Sequence, residues 1–314
     1  MLNFQPVSLG LKELADSYTF KYGEGSCQHS FVSSWCLRHK YGDSFCEHNG
    51  FLYTLRSKLC TENERVYLFP YGNRDNIEAV KSAVQNIIDD AHENNSSVKF
   101  MTLTESAKDL VLGLFPEKFS AFYSRDYAEY IYTAESLITM SGRHLKNKRN
   151  IVNNFFRDYD GRIEAARISP EHIEMIRDFQ GEWLDEKLLC GNNQFQERLL
   201  KQENDGVQCA LNDFFRLGLS GIVIFIDGEL KGYMYGAPLS ADCFDMISGK
   251  GSFDVPNIST VLKRECVRLC CESYSYVNFE EDLGIEGLRT MKTQYMPLRL
   301  IEKFIVTENN HEPH

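Results

Sequence analysis

No apolar run in this chain of 314 residues approaches the roughly 20 residues a membrane-spanning helix needs; even Ile222 to Ile226 is a short strand-like segment. The N-terminal Met-Leu-Asn-Phe-Gln-Pro-Val lacks a basic stretch followed by an apolar one, so no secretory signal is read and a cytoplasmic protein is expected. Ten cysteines are present, yet neither Cys27, Cys36, Cys46 and Cys60 nor Cys266, Cys270 and Cys271 shows paired Cys-x-x-Cys spacing. Reduced, mostly buried thiols are the expected state, with Cys270 and Cys271 on a helix. His29, His39, His48 and His92 also lack metal-ligand spacing, and no metal site is expected. A Walker loop, a Ser-His-Asp order and paired glycosidase-like carboxylates are missing too. So is any Pro/Gly/Ser-rich linker, which predicts packed domains rather than tethered ones.

What is present is ordinary globular material with one anomaly. The residues are 43% hydrophobic and 25% charged, with a formal net charge of -11. That acidity argues against non-specific wrapping of long nucleic acid but permits a local basic patch for a phosphate-rich ligand. Gly142 to Asp160 reads as a helix whose first turns carry Arg143, Lys146, Lys148 and Arg149. Helix N-termini already bear partial positive charge, so cations there cost stability unless an anion or facing carboxylates offset them.

Hydrophobic periodicity outlines two similar halves. A short strand at Phe4 to Ser8 precedes helical sequence to about Tyr41, strands at Phe51 to Leu55 and Val66 to Pro70, and a helix from Asp75. In that helix Ile77, Val80, Val84, Ile87 and Ile88 recur at three and four, one buried face. Val98 to Leu103 is a strand, Ser106 to Phe115 a helix, and Ala121 to Tyr132 a final strand region. After the basic helix the order restarts with a strand at Arg162 to Ile168 and a helix opened by Pro170. Helix is expected again over Asn193 to Leu217, then a hairpin turning on Asp227-Gly228. Cys243 to Ser248, Tyr276 to Phe279 and Leu300 to Val306 are strands, and Ser259 to Glu272 and Ile285 to Gln294 are helices. Two α+β domains are predicted, 1–135 and 136–314, ending in a polar, frayed tail from Thr307 to His314.

Two segments carry a family resemblance. Tyr-Ile-Tyr-Thr-Ala-Glu-Ser-Leu runs into Gly142-Arg143-His144-Leu145-Lys146-Asn147-Lys148-Arg149-Asn150, and the second reads Asn278-Phe279-Glu280-Glu281-Asp282-Leu283-Gly284-Ile285-Glu286-Gly287-Leu288-Arg289. Trp183-Leu184-Asp185-Glu186-Lys187, Leu217-Gly218-Leu219-Ser220-Gly221 and Tyr295-Met296-Pro297-Leu298-Arg299 extend the likeness over most of the chain. It resembles the phosphatidylglycerol lysyltransferase C-terminal-domain family. The resemblance implies two tandem acetyltransferase-like (GNAT) domains with mixed central sheets, an arrangement shared with Fem-type aminoacyltransferases. It also implies transfer of an aminoacyl group from aminoacyl-tRNA.

An aminoacyl ester is already activated, so such a transferase needs to hold the donor, place the acceptor and stabilise an oxyanion; no cofactor is required. Arg143, Lys146, Lys148 and Arg149, with Asn150, are the candidate donor-phosphate ligands on one helix face; the alternative is a face salt-bridged to carboxylates. Lys250 within Gly249-Lys250-Gly251 is a second candidate, through backbone N–H groups and a point charge, against a plain surface loop. Glu280, Glu281 and Asp282 are the candidate acid/base carboxylates, Glu281 foremost, while N-capping is the plain role for Asp282. Trp183 and Tyr235 either line a substrate channel or stack a nucleobase, or simply fill core. Arg289 pairs with the carboxylates or with substrate. The expected activity is acyl or aminoacyl transfer to a small amine, hydroxyl or peptide acceptor, with the tRNA acceptor end as partner. An acyl-CoA-dependent N-acetyltransferase and a non-catalytic phosphate-ligand module are the alternatives.

Overall fold

The computed structural model describes residues 2–190 and 194–309. Its strands are β1 (Gln5–Pro6), β2 (Asp43–His48), β3 (Phe51–Arg56), β4 (Glu64–Tyr67), β5 (Tyr71–Gly72), β6 (Ser97–Leu103), β7 (Phe119–Tyr123), β8 (Glu129–Thr133), β9 (Ile163–Arg167), β10 (Ser220–Ile226), β11 (Glu229–Pro238), β12 (Cys243–Gly251), β13 (Tyr276–Glu281), β14 (Arg299–Ile301) and β15 (Phe304–Glu308). The α-helices are α1 (Lys12–Tyr22), α2 (Phe31–Cys36), α3 (Arg38–Tyr41), α4 (Ile77–Glu93), α5 (Glu105–Leu114), α6 (Ala134–Thr139), α7 (Lys146–Asp158), α8 (His172–Leu189), α9 (Gln194–Asn212), α10 (Ile258–Cys270) and α11 (Glu286–Thr293). The fold is α+β with two mixed sheets.

The chain divides into two compact units, one of residues 1–129, 281–285 and 300–314, the other of 130–280 and 286–299. In the first sheet the strand order is β1-β2-β3-β4-β6-β15-β7, with β5 beside β3. The C-terminal β15 lies between β6 and β7, where Val306 is fully buried. Thr307 and Glu308, expected in a frayed tail, are therefore ladder residues; 310–314 lie outside the described residues, as does Asn193, the expected start of α9. The single strand expected over Leu300 to Val306 is broken at Glu302–Lys303 into β14 and β15, because Lys303 turns its side chain into a buried ion pair.

The faces of the first sheet differ in character. Tyr53, Leu55, Tyr67 and Phe100 join Val80, Val84, Ile87 and Ile88 of α4 in one apolar core. On β3 the alternate residues Leu52, Thr54 and Arg56 face the other way, each fully or almost fully buried, with Tyr71 paired opposite Leu52 and Asp43 opposite Arg56. That face is covered by α1 and by α2, whose Phe31 packs on Phe45.

The second sheet runs β14-β8-β13-β12-β11-β10-β9. Its β10–β11 hairpin turns on Asp227 (φ +53°) and Gly228 (φ +81°), the positive angles that Asp-Gly supplies. No loop forms at Gly249 to Gly251, contrary to expectation. These residues prolong β12 against β11, with Gly249 opposite Met234 and Gly251 opposite Gly232, because a Cβ at either position would strike Met234 or Ile258. Gly236, at the β11–β12 register shift, is tighter still: an added Cβ would lie 1.8 Å from the Asp245 carbonyl oxygen. Gly236→Ala is therefore expected to cost about 3 kcal/mol, read by urea denaturation; a shift below about 1 kcal/mol contradicts this packing.

Candidate functional site

In the second unit, four elements deliver four lysines. Lys148 comes from α7, Lys250 from β12, Lys263 from α10 and Lys292 from α11. The Lys148 ammonium sits 4.7 Å above the Tyr295 ring, and burial lowers its pKa. Lys263 is half-buried and reaches the Ser259 carbonyl at 3.2 Å. Burial first, then the charges of Lys148, Lys292 and Lys250, push its pKa down to about 8. Lys292 is buried, 5.8 Å from the Tyr130 ring centre. Lys250 pairs with Glu203 at 2.6 Å and stands 4.4 Å from the centre of Trp183.

The basic segment divides in two. The helix starts at Lys146, behind an uncapped Leu145, so Arg143 lies in the preceding turn rather than in the helix. Lys146, Lys148 and Arg149 occupy the first turn, which holds no acidic residue. Arg143, Lys146 and Asn150 are exposed, whereas Arg149 folds back to donate to the Met140 carbonyl at 2.6 Å and closes the turn. Of the expected donor ligands, Lys148 and Lys250 enter the lysine cluster. Trp183 is half-buried, not core, and stacks on Phe253 at 5.6 Å with planes 14° apart. Tyr235 is core, packed against Tyr233 and Phe214. Arg289 is half-buried on α11.

The acidic run leaves β13 by a strained path, with Glu280 at φ +59° and Leu283 at φ +52°. The Glu280 N–H donates to Asn278 Oδ1. Within the first unit, Glu281 accepts from Gln28 Nε2 at 2.6 Å and from the Cys27 thiol at 3.4 Å. Asp282 is fully buried, paired with Arg125 at 3.1 Å, and takes the Gly284 N–H at 2.9 Å. It thus closes a turn rather than capping a helix, since α11 starts only at Glu286.

Gln28 belongs to a buried polar layer between α1 and α2. Its side-chain oxygen accepts from Arg56 Nη1 at 3.2 Å, and its carbonyl from Nη2 at 3.2 Å. Arg56 faces Asp43 at 3.5 Å and lies over the Tyr41 ring, whose hydroxyl burial pushes up to about 12. Lys303 and Glu129, both fully buried, pair at 2.7 Å. Glu129 also accepts from the Ser26 hydroxyl at 2.8 Å and the Cys27 N–H at 3.0 Å. Burial and the neighbouring Lys303 charge hold His29 neutral, its pKa pushed down to about 3.

The family described as phosphatidylglycerol lysyltransferase, C-terminal, matches residues 19–307. The chain belongs to that family. A conserved protein of unknown function from Bacteroides thetaiotaomicron is 26% identical with a TM-score of 0.90, over 98% of this chain and 100% of that one. A C-terminal domain named for lysylphosphatidylglycerol synthetase, from Agrobacterium fabrum, is 12% identical with a TM-score of 0.67, over 96% of this chain and 93% of that one. FemX is 8% identical with a TM-score of 0.65, over 98% of each chain. The last two share the fold. No curated protein matches the sequence. Among the described residues no helix is long and apolar enough to cross a membrane.

Lys263, Lys292, Arg56, Gln28, Glu129 and Lys303 were absent from the sequence-derived candidates. Arg56 carried a usable signal, since it follows Thr54 at strand spacing in Phe-Leu-Tyr-Thr-Leu-Arg, polar residues on one side of an otherwise apolar strand. The lysines carried none, because their meeting depends on tertiary folding. Removing one partner of a fully buried ion pair leaves the other charge stranded. Lys303→Met is therefore expected to cost about 3–5 kcal/mol, and a cycle with Glu129→Leu to give a coupling above about 2 kcal/mol; additive losses in chemical denaturation would rule out a working pair.

Proposed function

We propose that this protein transfers an aminoacyl group from a phosphate-bearing donor, the acceptor end of an aminoacyl-tRNA, to a small hydroxyl or amine acceptor. One observation supports this most: the charges of Lys148, Lys250 and Lys292, from three other elements, bear on the half-buried Lys263, a like-charge cluster that favours a bound anion even with Glu203 paired to Lys250. Family membership adds the transferase fold on which that chemistry is built.

The reaction asks little of the protein beyond placement. The acceptor oxygen or nitrogen attacks the ester carbonyl, a tetrahedral oxyanion forms, and collapse releases the ribose oxygen of the donor while the acceptor's proton passes to a base. Lys148, Lys250, Lys263 and Lys292 hold the donor's phosphates as point charges. Asp282, committed to Arg125 and the Gly284 N–H, has the role of holding the turn.

Binding of aminoacylated tRNA, deacylated tRNA and acetyl-CoA, measured by fluorescence anisotropy across a salt series, tests the donor assignment. Wild type is expected to bind tRNA with strong salt dependence, and Lys148→Ala/Lys263→Ala to bind at least about 10-fold more weakly with a salt slope shallower by about 1.5. Affinity should also fall as pH rises through about 8, where Lys263 loses its proton, and Lys263→Arg should flatten that profile. Equal tRNA binding by wild type and double variant, or saturable binding of acetyl-CoA alone, overturns the reading.

A further inference from the structure

The edges of the two sheets are guarded unequally. β1 is two residues long and contains Pro6, which has no N–H to offer another strand. β9 carries the exposed charges of Glu164 and Arg167, and β14 is three residues long with Arg299 exposed. β7, at the other edge of the first sheet, has none of these devices. Its five residues, Phe119-Ser120-Ala121-Phe122-Tyr123, hold no charge, proline or glycine, and their register with β15 runs without a bulge. Phe122 is 59% and Tyr123 48% exposed. Among the described residues no strand lies on the outer side of β7. Such an edge is a template for another strand.

The direction of its backbone groups follows from the ladder. The Ser124 N–H donates to the Lys303 carbonyl and the Asn309 N–H to the Lys118 carbonyl, each at 2.8 Å. These bonds turn residues 118, 120, 122 and 124 toward β15, with Ser120 opposite Thr307 and Phe122 opposite Ile305. Phe119 and Ala121, at the alternate positions, therefore direct their N–H and C=O away from β15.

The same strand is complementary to itself in an antiparallel register centred on Ala121. Two copies related by a two-fold axis there exchange both N–H···O bonds of the Ala121 pair, and Phe119 of each faces Tyr123 of the other, an aromatic cross-strand pair. Ser120 faces Phe122, and the two Phe122 rings become diagonal neighbours across the axis, within reach of one another. Beyond the strand ends, the exposed Glu117 of one copy comes opposite Arg125 of the other, whose side chain is 33% exposed beside Asp282. Unlike charges thus meet at both ends of a neutral strand. A second copy supplies every one of these pairings by symmetry.

We infer that β7 is a self-association edge, where a second copy of this chain adds antiparallel, β7 to β7, and continues the first sheet across the axis. The inference is independent of how a donor is held.

Sedimentation equilibrium of the full chain from about 1 to about 100 µM tests it. Wild type is expected to pass reversibly from monomer to dimer in that range, with the Ala121 amide exchanging more slowly with deuterium as the dimer fills. Phe122→Lys, which removes both Phe122 contacts and sets two ammoniums together at the axis, is expected to weaken the dimer at least about 10-fold. Glu117→Lys is expected to weaken it about 5-fold, through two lost end pairs, and both variants to keep the wild-type Tm because both positions are exposed. Ala121→Pro removes the outward N–H and no bond to β15, and is expected to abolish the dimer. The inference is overturned by a chain that stays monomeric throughout, by a dimer that neither Phe122→Lys nor Glu117→Lys weakens, or by Ala121 exchange that does not follow the dimer fraction.

Discussion

One buried ion pair ties together three distant stretches of the first unit. Glu129 stands at the end of its continuous N-terminal segment, Lys303 precedes the C-terminal strand, and Ser26 and Cys27 lie in the turn between α1 and α2. All meet around one carboxylate that accepts from an ammonium, a hydroxyl and a backbone N–H. Burying such a pair gains little over apolar packing, but a mismatched alternative leaves a charge in low dielectric. The pair therefore acts chiefly on topology, because it penalises any arrangement in which β15 fails to lie between β6 and β7. It also sets the electrostatics of the adjoining layer, since the Lys303 charge adds to burial in keeping His29 neutral.

The second unit uses the opposite arrangement. There, cations crowd one another: burial and then the charges of Lys148, Lys292 and Lys250 depress the pKa of Lys263, while burial alone lowers that of Lys148. Aromatic rings soften the crowding: Tyr295 lies beneath Lys148, Tyr130 near Lys292 and Trp183 near Lys250. An aromatic face stabilises an ammonium without neutralising it, whereas Glu203, at 2.6 Å, offsets the charge of Lys250.

The fold was largely legible because its signals are local. The spacing of Ile77, Val80, Val84, Ile87 and Ile88 gave α4, Asp227-Gly228 gave the hairpin, and the absence of acidic residues in the first turn of the basic helix was plain from composition. Errors arose where tertiary contacts overruled local pattern. Gly249-Lys250-Gly251 reads as a loop, yet its glycines are required by close approach to Met234 and Ile258 inside a strand. Asp282 reads as an N-cap, but its partners are Arg125 and a turn N–H. The site was legible only in part for the same reason: Lys148 and Lys250 sit in conspicuous local patterns, whereas Lys263 and Lys292 are ordinary residues of amphipathic helices until folding assembles them.

The two units thus treat buried polarity by different rules, and the difference has a chemical consequence. Around Arg56, Arg74 and Lys303 charges are matched within the protein, and hydrogen-bonding capacity remains on buried hydroxyls and on Asp43 Oδ1, Arg56 Nε and Arg74 Nε alike. Where like charges gather, as around Lys263, what remains is charge.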